Sequence, residues 1–422
     1  MDAQEQLNRP PGAASPNLPG LGTPRGAIVA SLIIVAAFVI VLVNPITVRL
    51  VADWYHGRFV YPLVIDLYLA LVIVAGVLFL RSGRPIYFGV TLTAAALFLP
   101  ALLGIEIAIA NDEFRLAAPK DYLIENVHRP SRSLGWEPIP NATGKHYSLG
   151  NFDVTYEFDE RGRRKIPRNA SAAFTFHVFG DSFGFGHGVV DADTALYRLA
   201  ARIGNSANIQ NYSVMGYGLE QMLARMTENA DDIKRGDVVL FMATASDIVR
   251  TLDGKKYVCW TYFEALRAPD VAARFRYFPH FVGDRIEPAD LETECSYVRD
   301  VLLRRSHMLF GTLYNAIDAW RVRPRRVLNA RQALEGAARA AQDRGARFLF
   351  LLVARPSECR NGRYEMDWTA IGMPFVPMLE YCPADPALVE TFHFPSDGHL
   401  SPAGNRWLAD SLLDALRRRG YL

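Results

Sequence analysis

The sequence predicts an α/β protein: a three-layer α/β/α domain on a parallel sheet, preceded by three transmembrane helices and a small β-containing segment. Three observations carry this prediction. From Phe174 onward, short apolar, β-prone runs alternate with helix-period stretches, as in a parallel sheet covered on both faces. Residues 26–110 hold three long apolar runs, and residues 111–172 are polar and turn-rich with one strongly alternating stretch.

Residues 1–25, rich in Pro, Gly, Asn and Ala and nearly free of large apolar side chains, read as a disordered tail. The first apolar run extends from Ala27 to Val43 and continues toward Ile46. The second is Phe59–Leu80, interrupted by Pro62 and Asp66, and the third is Ile86–Ala110, with Pro100 and Glu106. Each has about the 17–25 residues needed to cross roughly 30 Å of hydrocarbon. A secretory signal would be a single shorter run, so cleavage does not account for three. Asp66 and Glu106 lie near segment ends and read as interfacial. Three spans put the termini on opposite sides of the membrane. Arg9 and Arg25 flank the first span, Arg49 and Arg58 fall in the first loop with Asp53, and Arg81 and Arg84 lie in the second. This leans toward a cytoplasmic N-terminus and a C-terminal domain outside, as for a multi-pass protein of a bacterial inner membrane with a periplasmic or extracellular domain.

The 111–172 lead-in holds the alternating strand Phe152–Phe158, then a turn at Asp159–Gly162; its function is not legible. In 173–422 the expected order is a strand over Phe174–Phe179, a strand at Asn208–Val214, a helix at Leu219–Ile233 and a buried strand at Asp237–Ala243. An Ala-rich helix at Arg331–Arg344 and a strand at Arg347–Ala354 complete it. An insertion at about 250–326 interrupts the alternation with many aromatics and two cysteines, and reads equally as a substrate-selecting element or an accessory lobe.

Two stretches carry chemistry. In the first, a strand stops at Gly180-Asp181-Ser182 with glycines at 184, 186 and 188, presenting a hydroxyl at the carboxyl edge of a sheet, where open α/β sheets place ligands. In the second, Asp397 and His399 are two residues apart on an extended segment, so they point to one side. Ser401-Pro402 then starts a helix with Trp407, Leu408, Leu412, Leu413 and Leu416 at helical spacing. A serine needs a positioned base to lose its proton. With GDSF near the start of the domain and D-x-H-L-x-P-x-G-N at its end, residues 173–422 resemble the SGNH (GDSL) hydrolase family. The family usually spaces its acid and base as D-x-x-H; the shorter spacing here is similar to that of periplasmic alginate-type O-acetyltransferases.

That resemblance implies Ser182 as nucleophile, His399 as general base and acid, and Asp397 as the group orienting the imidazole. It implies an oxyanion hole from the N–H of Ser182, from Gly216 in Asn211–Gly218, and from Ser246, which stands where the family's third block carries Asn. Serine reaches less far than asparagine. Ser246-Asp247 also reads as a helix N-cap before Ile248. His187, in the glycine-rich loop, reads as a binding or packing residue rather than a second base. The family implies an acylated carbohydrate or lipid of the cell envelope as substrate and a serine esterase acting through an acyl-enzyme. An O-acyltransferase working with a membrane acyl-donor protein is the alternative, as is a catalytically weak glycan-binding or assembly protein.

The net charge of +2 and the lack of a long basic run argue against nucleic-acid binding. No H-E-x-x-H, Walker or dinucleotide fingerprint occurs, so neither metal nor nucleotide cofactor is implied. The Arg321, Arg323, Arg325, Arg326 cluster reads as a solvated face. Cys259, Cys295, Cys359 and Cys382 fit no zinc or C-x-x-C pattern; one or two disulfides, or four buried thiols, remain open.

Overall fold

The computed structural model describes residues 84–93, 96, 122–252, 256–266, 276–303, 309–364 and 368–422. The chain divides into two units, Met1–Leu116 with Ser306–Gly311, and Ala117–Arg305 with Thr312–Leu422. In the first, residues 85–93 are helical. The expected tail and the first two spans lie outside the described residues, as does most of the third. Among the described residues no helix is long and apolar enough to cross a membrane.

The second unit begins with the lead-in. Strands β1 (Tyr122–Glu125), β4 (Thr143–Ser148) and β5 (Phe152–Glu157) form an antiparallel sheet in the order β1-β4-β5. A separate hairpin pairs β2 (His128–Ser131) with β3 (Gly135–Pro138). The alternation seen in the sequence holds: Phe152 and Tyr156 of β5 are buried, while Asp153, Thr155 and Glu157 face away from them.

The main sheet has five parallel strands: β6 (Thr175–Gly180), β7 (Asn208–Asn211), β8 (Val238–Ala243), β11 (Arg347–Leu352) and β12 (Val376–Pro377), in the order β12-β11-β8-β6-β7. The chain runs from β6 outward to β7 and then returns to place β8 on the other side of β6. The order therefore reverses at β6/β8, and the crevice beyond the carboxyl ends of these two strands is the expected ligand position.

Period-2 side chains feed two separate cores. On one face Phe179, Val239, Phe241 and Phe350 pack with α2 (Leu219–Glu228) and the alanine face of α4 (Leu309–Asp343), namely Ala330, Ala333, Ala337 and Ala341. On the other, Phe176, Val178, Leu240, Met242, Leu349 and Leu351 pack with α1 (Ala195–Ile203) and the terminal helix α5 (Pro402–Arg418). This is the three-layer arrangement that the alternating pattern implied.

Local signals set the helix ends. Thr194 caps α1 through an N–H bond from Tyr197, and its apolar residues 196, 199, 200 and 203 share one buried face. Ser401 caps α5 by accepting from Gly404 N–H, with Pro402 at the first helical position. Other boundaries move. The helix from Leu219 stops at Glu228 rather than Ile233, because Asn229 turns the chain into a short 3-10 turn at Ala230–Asp232. The helix expected from Arg331 begins at Leu309, running through Pro324.

The insertion thus holds the start of α4, the helix α3 (Lys256–Leu266), and a hairpin of β9 (Tyr277–Val282) and β10 (Arg285–Asp290). All four cysteines pair, Cys259 with Cys295 and Cys359 with Cys382. The first bond ties α3 to the segment following the hairpin.

Candidate active site

Strand β6 ends at Gly180, where a Cβ would lie 2.8 Å from the carbonyl oxygen of Met242, so the close approach of β8 requires glycine. Asp181 then caps a four-residue helical turn, Ser182–Phe185, by accepting from Phe183 N–H at 2.8 Å. This leaves Ser182 at the start of the turn, above the carboxyl edge of the sheet. His399 arrives from the opposite end of the chain on β14 (Asp397–Leu400), which pairs with the two-residue strand β13 (His393–Phe394).

The two meet. Ser182 Oγ is 2.8 Å from His399 Nε2 across 217 positions of sequence, and His399 Nδ1 is 2.5 Å from Asp397 Oδ1. Asp397 Oδ1 also accepts from the backbone N–H of His399 at 2.9 Å. With Nδ1–H donating to the carboxylate, Nε2 is left as an acceptor for the serine hydroxyl. Burial alone would raise the Asp397 carboxyl. Hydrogen bonds from His187 and His399 more than reverse this and hold it well below the ordinary carboxylate range. The acid therefore stays ionised. The side chain of His399 is 26% exposed while Ser182 is 3% exposed, so solvent reaches the imidazole more readily than the nucleophile.

His187 is part of the same constellation. Its ring stacks on that of His399 with centroids 3.7 Å apart and 14° between planes. Its Nε2 lies 3.5 Å from Asp397 Oδ2, at the edge of hydrogen-bonding range, and its Nδ1 lies 3.1 Å from Met215 Sδ. One carboxylate thus faces two imidazoles. His187, Asp397 and His399 offer metal-ligand atoms all within 4.8 Å of one another, a set that fits a divalent cation. A cation on His399 Nδ1 would leave the ring's only proton on Nε2, which then could not accept the proton of Ser182.

The lead-in supplies the floor beneath this pair. His146 meets the His187 ring edge-on at 4.6 Å, and Phe152 packs against both His187 and Phe394. Tyr156 OH accepts from Gly188 N–H at 2.8 Å and is 2.6 Å from His146 Nδ1. Arg164, buried against Tyr156 and Phe185, pairs with Asp191 and donates to the carbonyls of Phe185, Gly186 and Val189. These contacts grip the loop after the nucleophile. Nothing in the sequence of the lead-in signals this; only the Gly-His-Gly of residues 186–188 marked the other side of the contact.

Burial, then His187 and His128, push His146 down to about 2, and burial, then His399, push His187 down to about 4, against opposing pulls from Asp397. Both rings are neutral at pH 7. The unfolded chain binds these protons near pH 6.5, so it holds more protons than the folded chain below that value. The melting temperature should therefore be level above about pH 6.5 and fall as the pH is lowered toward 4. The depressed Asp397 acts in a lower window, its contribution being lost only below about pH 4. Melting curves of the protein and of His146→Gln would check this, the variant showing the flatter profile; a wild-type melting temperature unchanged from pH 6.5 to 4 would contradict it.

The oxyanion candidates divide. The N–H groups of Ser182 and Gly216 donate to no acceptor among the described residues. Ser246 Oγ lies 2.8 Å from Thr244 Oγ1, whose own proton goes to Asp181 Oδ2 at 3.2 Å, so Ser246 must donate to Thr244. Its one proton is committed away from any substrate. Neither does Ser246 cap a helix: it precedes a 3-10 turn at Asp247–Val249 without a side-chain cap bond. Instead Asp247 folds back to accept from Thr244 N–H at 2.7 Å.

The fold and this geometry define a class: an α/β protein with a serine, histidine and aspartate in relay at the switch point of a parallel sheet. No protein-family profile matches the chain, and no curated protein matches it. Among solved structures it is similar to a member of the lipolytic G-D-S-L family from Veillonella parvula, at 14% identity over 58% of this chain and 100% of that one, TM-score 0.25. It is also similar to an α/β hydrolase enzyme from the metagenome of Lake Arreo, at 14% identity over 58% and 95% of the two chains, TM-score 0.24. A Bacillus subtilis protein shows 11% identity over 68% of each chain, TM-score 0.34.

Proposed function

We propose that this chain is an SGNH-type serine enzyme that cleaves acyl esters through an acyl-enzyme. The observation that carries the reading is the unbroken relay from Ser182 Oγ through His399 to Asp397. Ser182 attacks the ester carbonyl while His399 Nε2 takes its proton, and the new imidazolium is stabilised by the ionised Asp397. His399 then protonates the leaving alcohol as the carbon–oxygen bond breaks. Water, activated by the same imidazole, releases the acid.

The substrate we infer is an acetylated carbohydrate or lipid of the cell envelope, met by an extracytoplasmic domain held by the apolar N-terminal segments. The two disulfide pairs suit such an oxidising compartment. If a sugar hydroxyl replaces water, the same intermediate serves an O-acyltransferase, supplied by a membrane acyl donor.

The test uses the full-length protein with p-nitrophenyl acetate and a fluorophosphonate probe. Hydrolysis, with the probe's mass added to the peptide carrying Ser182, is expected. Absence of hydrolysis, or labelling elsewhere, would overturn the reading and leave a binding protein. Acetyl transfer to an added oligosaccharide would mark the transferase. Chelators should leave turnover intact, whereas a metal-dependent hydrolase built on His187, Asp397 and His399 would lose it.

A further inference from the structure

The relay needs a partner that it does not itself contain. As the ester carbon becomes tetrahedral, its oxygen takes on negative charge, and preorganised donors must face it. Two backbone N–H groups, of Ser182 and Gly216, have no acceptor among the described residues and are at hand, but the hydroxyl of Ser246 is turned toward Thr244. A side-chain donor is missing from the sequence position where one was expected.

Another hydroxyl lies beside Gly216, one of these two backbone donors. Gly216 has φ +81°, and a Cβ built there would lie 2.7 Å from the phenolic oxygen of Tyr257, on the first turn of α3. That phenol is half-buried, and among the described residues it makes no hydrogen bond. Its surroundings are those of the nucleophile. Met215, just before Gly216, touches the His187 ring, and Val214 N–H donates to Gly180 O at 3.0 Å beside the nucleophile turn. Arg250 lies 5.1 Å from the centre of the Tyr257 ring. The same guanidinium donates to Tyr217 O at 3.2 Å and approaches Asp181 Oδ2, next to Ser182, at 3.5 Å. The cation lies over the ring face, and the hydroxyl reaches the glycine. A phenol is also a stronger acid than an alkyl hydroxyl, hence a stronger donor to an oxyanion.

We propose that Tyr257 is a catalytic residue whose O–H donates to the developing oxyanion beside the N–H groups of Ser182 and Gly216. Tyr257 gives up no proton: the carbonyl electron pair moves onto oxygen as the Ser182 Oγ–carbon bond forms, the serine proton goes to His399, and the phenol strengthens one hydrogen bond. The inserted segment, tied down by Cys259–Cys295, thereby completes the site. A glycine at 216 follows for the same reason, since any side chain would displace the phenol.

This inference rests on the serine reading above, and one set of measurements separates the two. Full-length wild type, Ser182→Ala and Tyr257→Phe are compared in steady-state hydrolysis of p-nitrophenyl acetate, with melting temperatures as a check on folding. Tyr257→Phe is expected to lower kcat by about 100–1,000-fold with little change in KM. It should also weaken inhibition by a phenylboronic acid, whose tetrahedral serine adduct imitates the oxyanion, by a similar factor. If Ser182→Ala retains full activity, the serine reading itself fails. If Ser182→Ala is inactive while Tyr257→Phe stays within about threefold of wild type in kcat and boronate affinity, only the role of Tyr257 is overturned. A raised KM with unchanged kcat would also overturn it, by making Tyr257 a ground-state contact.

Discussion

Ser182→Ala is expected to lower kcat for ester hydrolysis by about a million-fold, to a residual rate supplied by binding and the oxyanion donors alone. The size follows from the chemistry. Without Oγ there is no acyl-enzyme, and the imidazole of His399 is left facing a methyl group. Stability should change little, because Ser182 is small, lies on a turn held by Asp181 and Arg164, and among the described residues bonds through its side chain to His399 alone. Steady-state rates measured beside a melting curve check both halves. A variant that folds and retains more than about a tenth of the activity would mean that another group is the nucleophile.

Asp397→Asn should cost about 10,000-fold in kcat, with modest change in KM. The amide preserves shape but brings its own N–H₂ to the position where the carboxylate accepts. Either His399 loses its acceptor, or its ring takes the tautomer with the proton on Nε2, facing Ser182 as a donor. His187 deepens the effect, because the same carboxylate faces its Nε2 at 3.5 Å, and one replacement disturbs both stacked rings. The imidazolium formed in turnover would then lie against a neutral ring with no counter-charge. The readout is kcat as a function of pH: the variant should remain slow throughout, recovering partly only at high pH, where hydroxide replaces the base. A loss below about tenfold would remove Asp397 from the relay.

Much of this site is legible in the sequence. The run of β6 into Gly-Asp-Ser and the pair Asp397, His399 ahead of a Ser-Pro helix start are local patterns, and local geometry places such residues at a sheet edge. The lead-in was legible only as strands. That its Phe152 and His146 turn toward His187, and its Tyr156 toward Gly188, depends on how two sheets meet, and alternation along β5 says which residues share a face, not what that face covers. The helix α4 is longer than its sequence pattern implies, because its Ala-rich half alone carries the burial pattern, while helical backbone continues past Pro324 toward Leu309. Ser246 shows the limit of a matched position: a hydroxyl in the expected place is governed by where its single proton goes, and that was set by Thr244 and Asp181.

The amino-acid order by itself determined the α/β alternation, the nucleophile turn, the acid–base pair and the capped terminal helix, because side-chain period, glycine sterics and capping act over a few residues. Tertiary structure alone decided that Ser182 meets His399, that His187 shares Asp397, that the four cysteines pair as they do, and that Tyr257 stands over Gly216. Those are distances between segments remote in the chain, set by the packing of both faces of one sheet, and no short-range pattern encodes them.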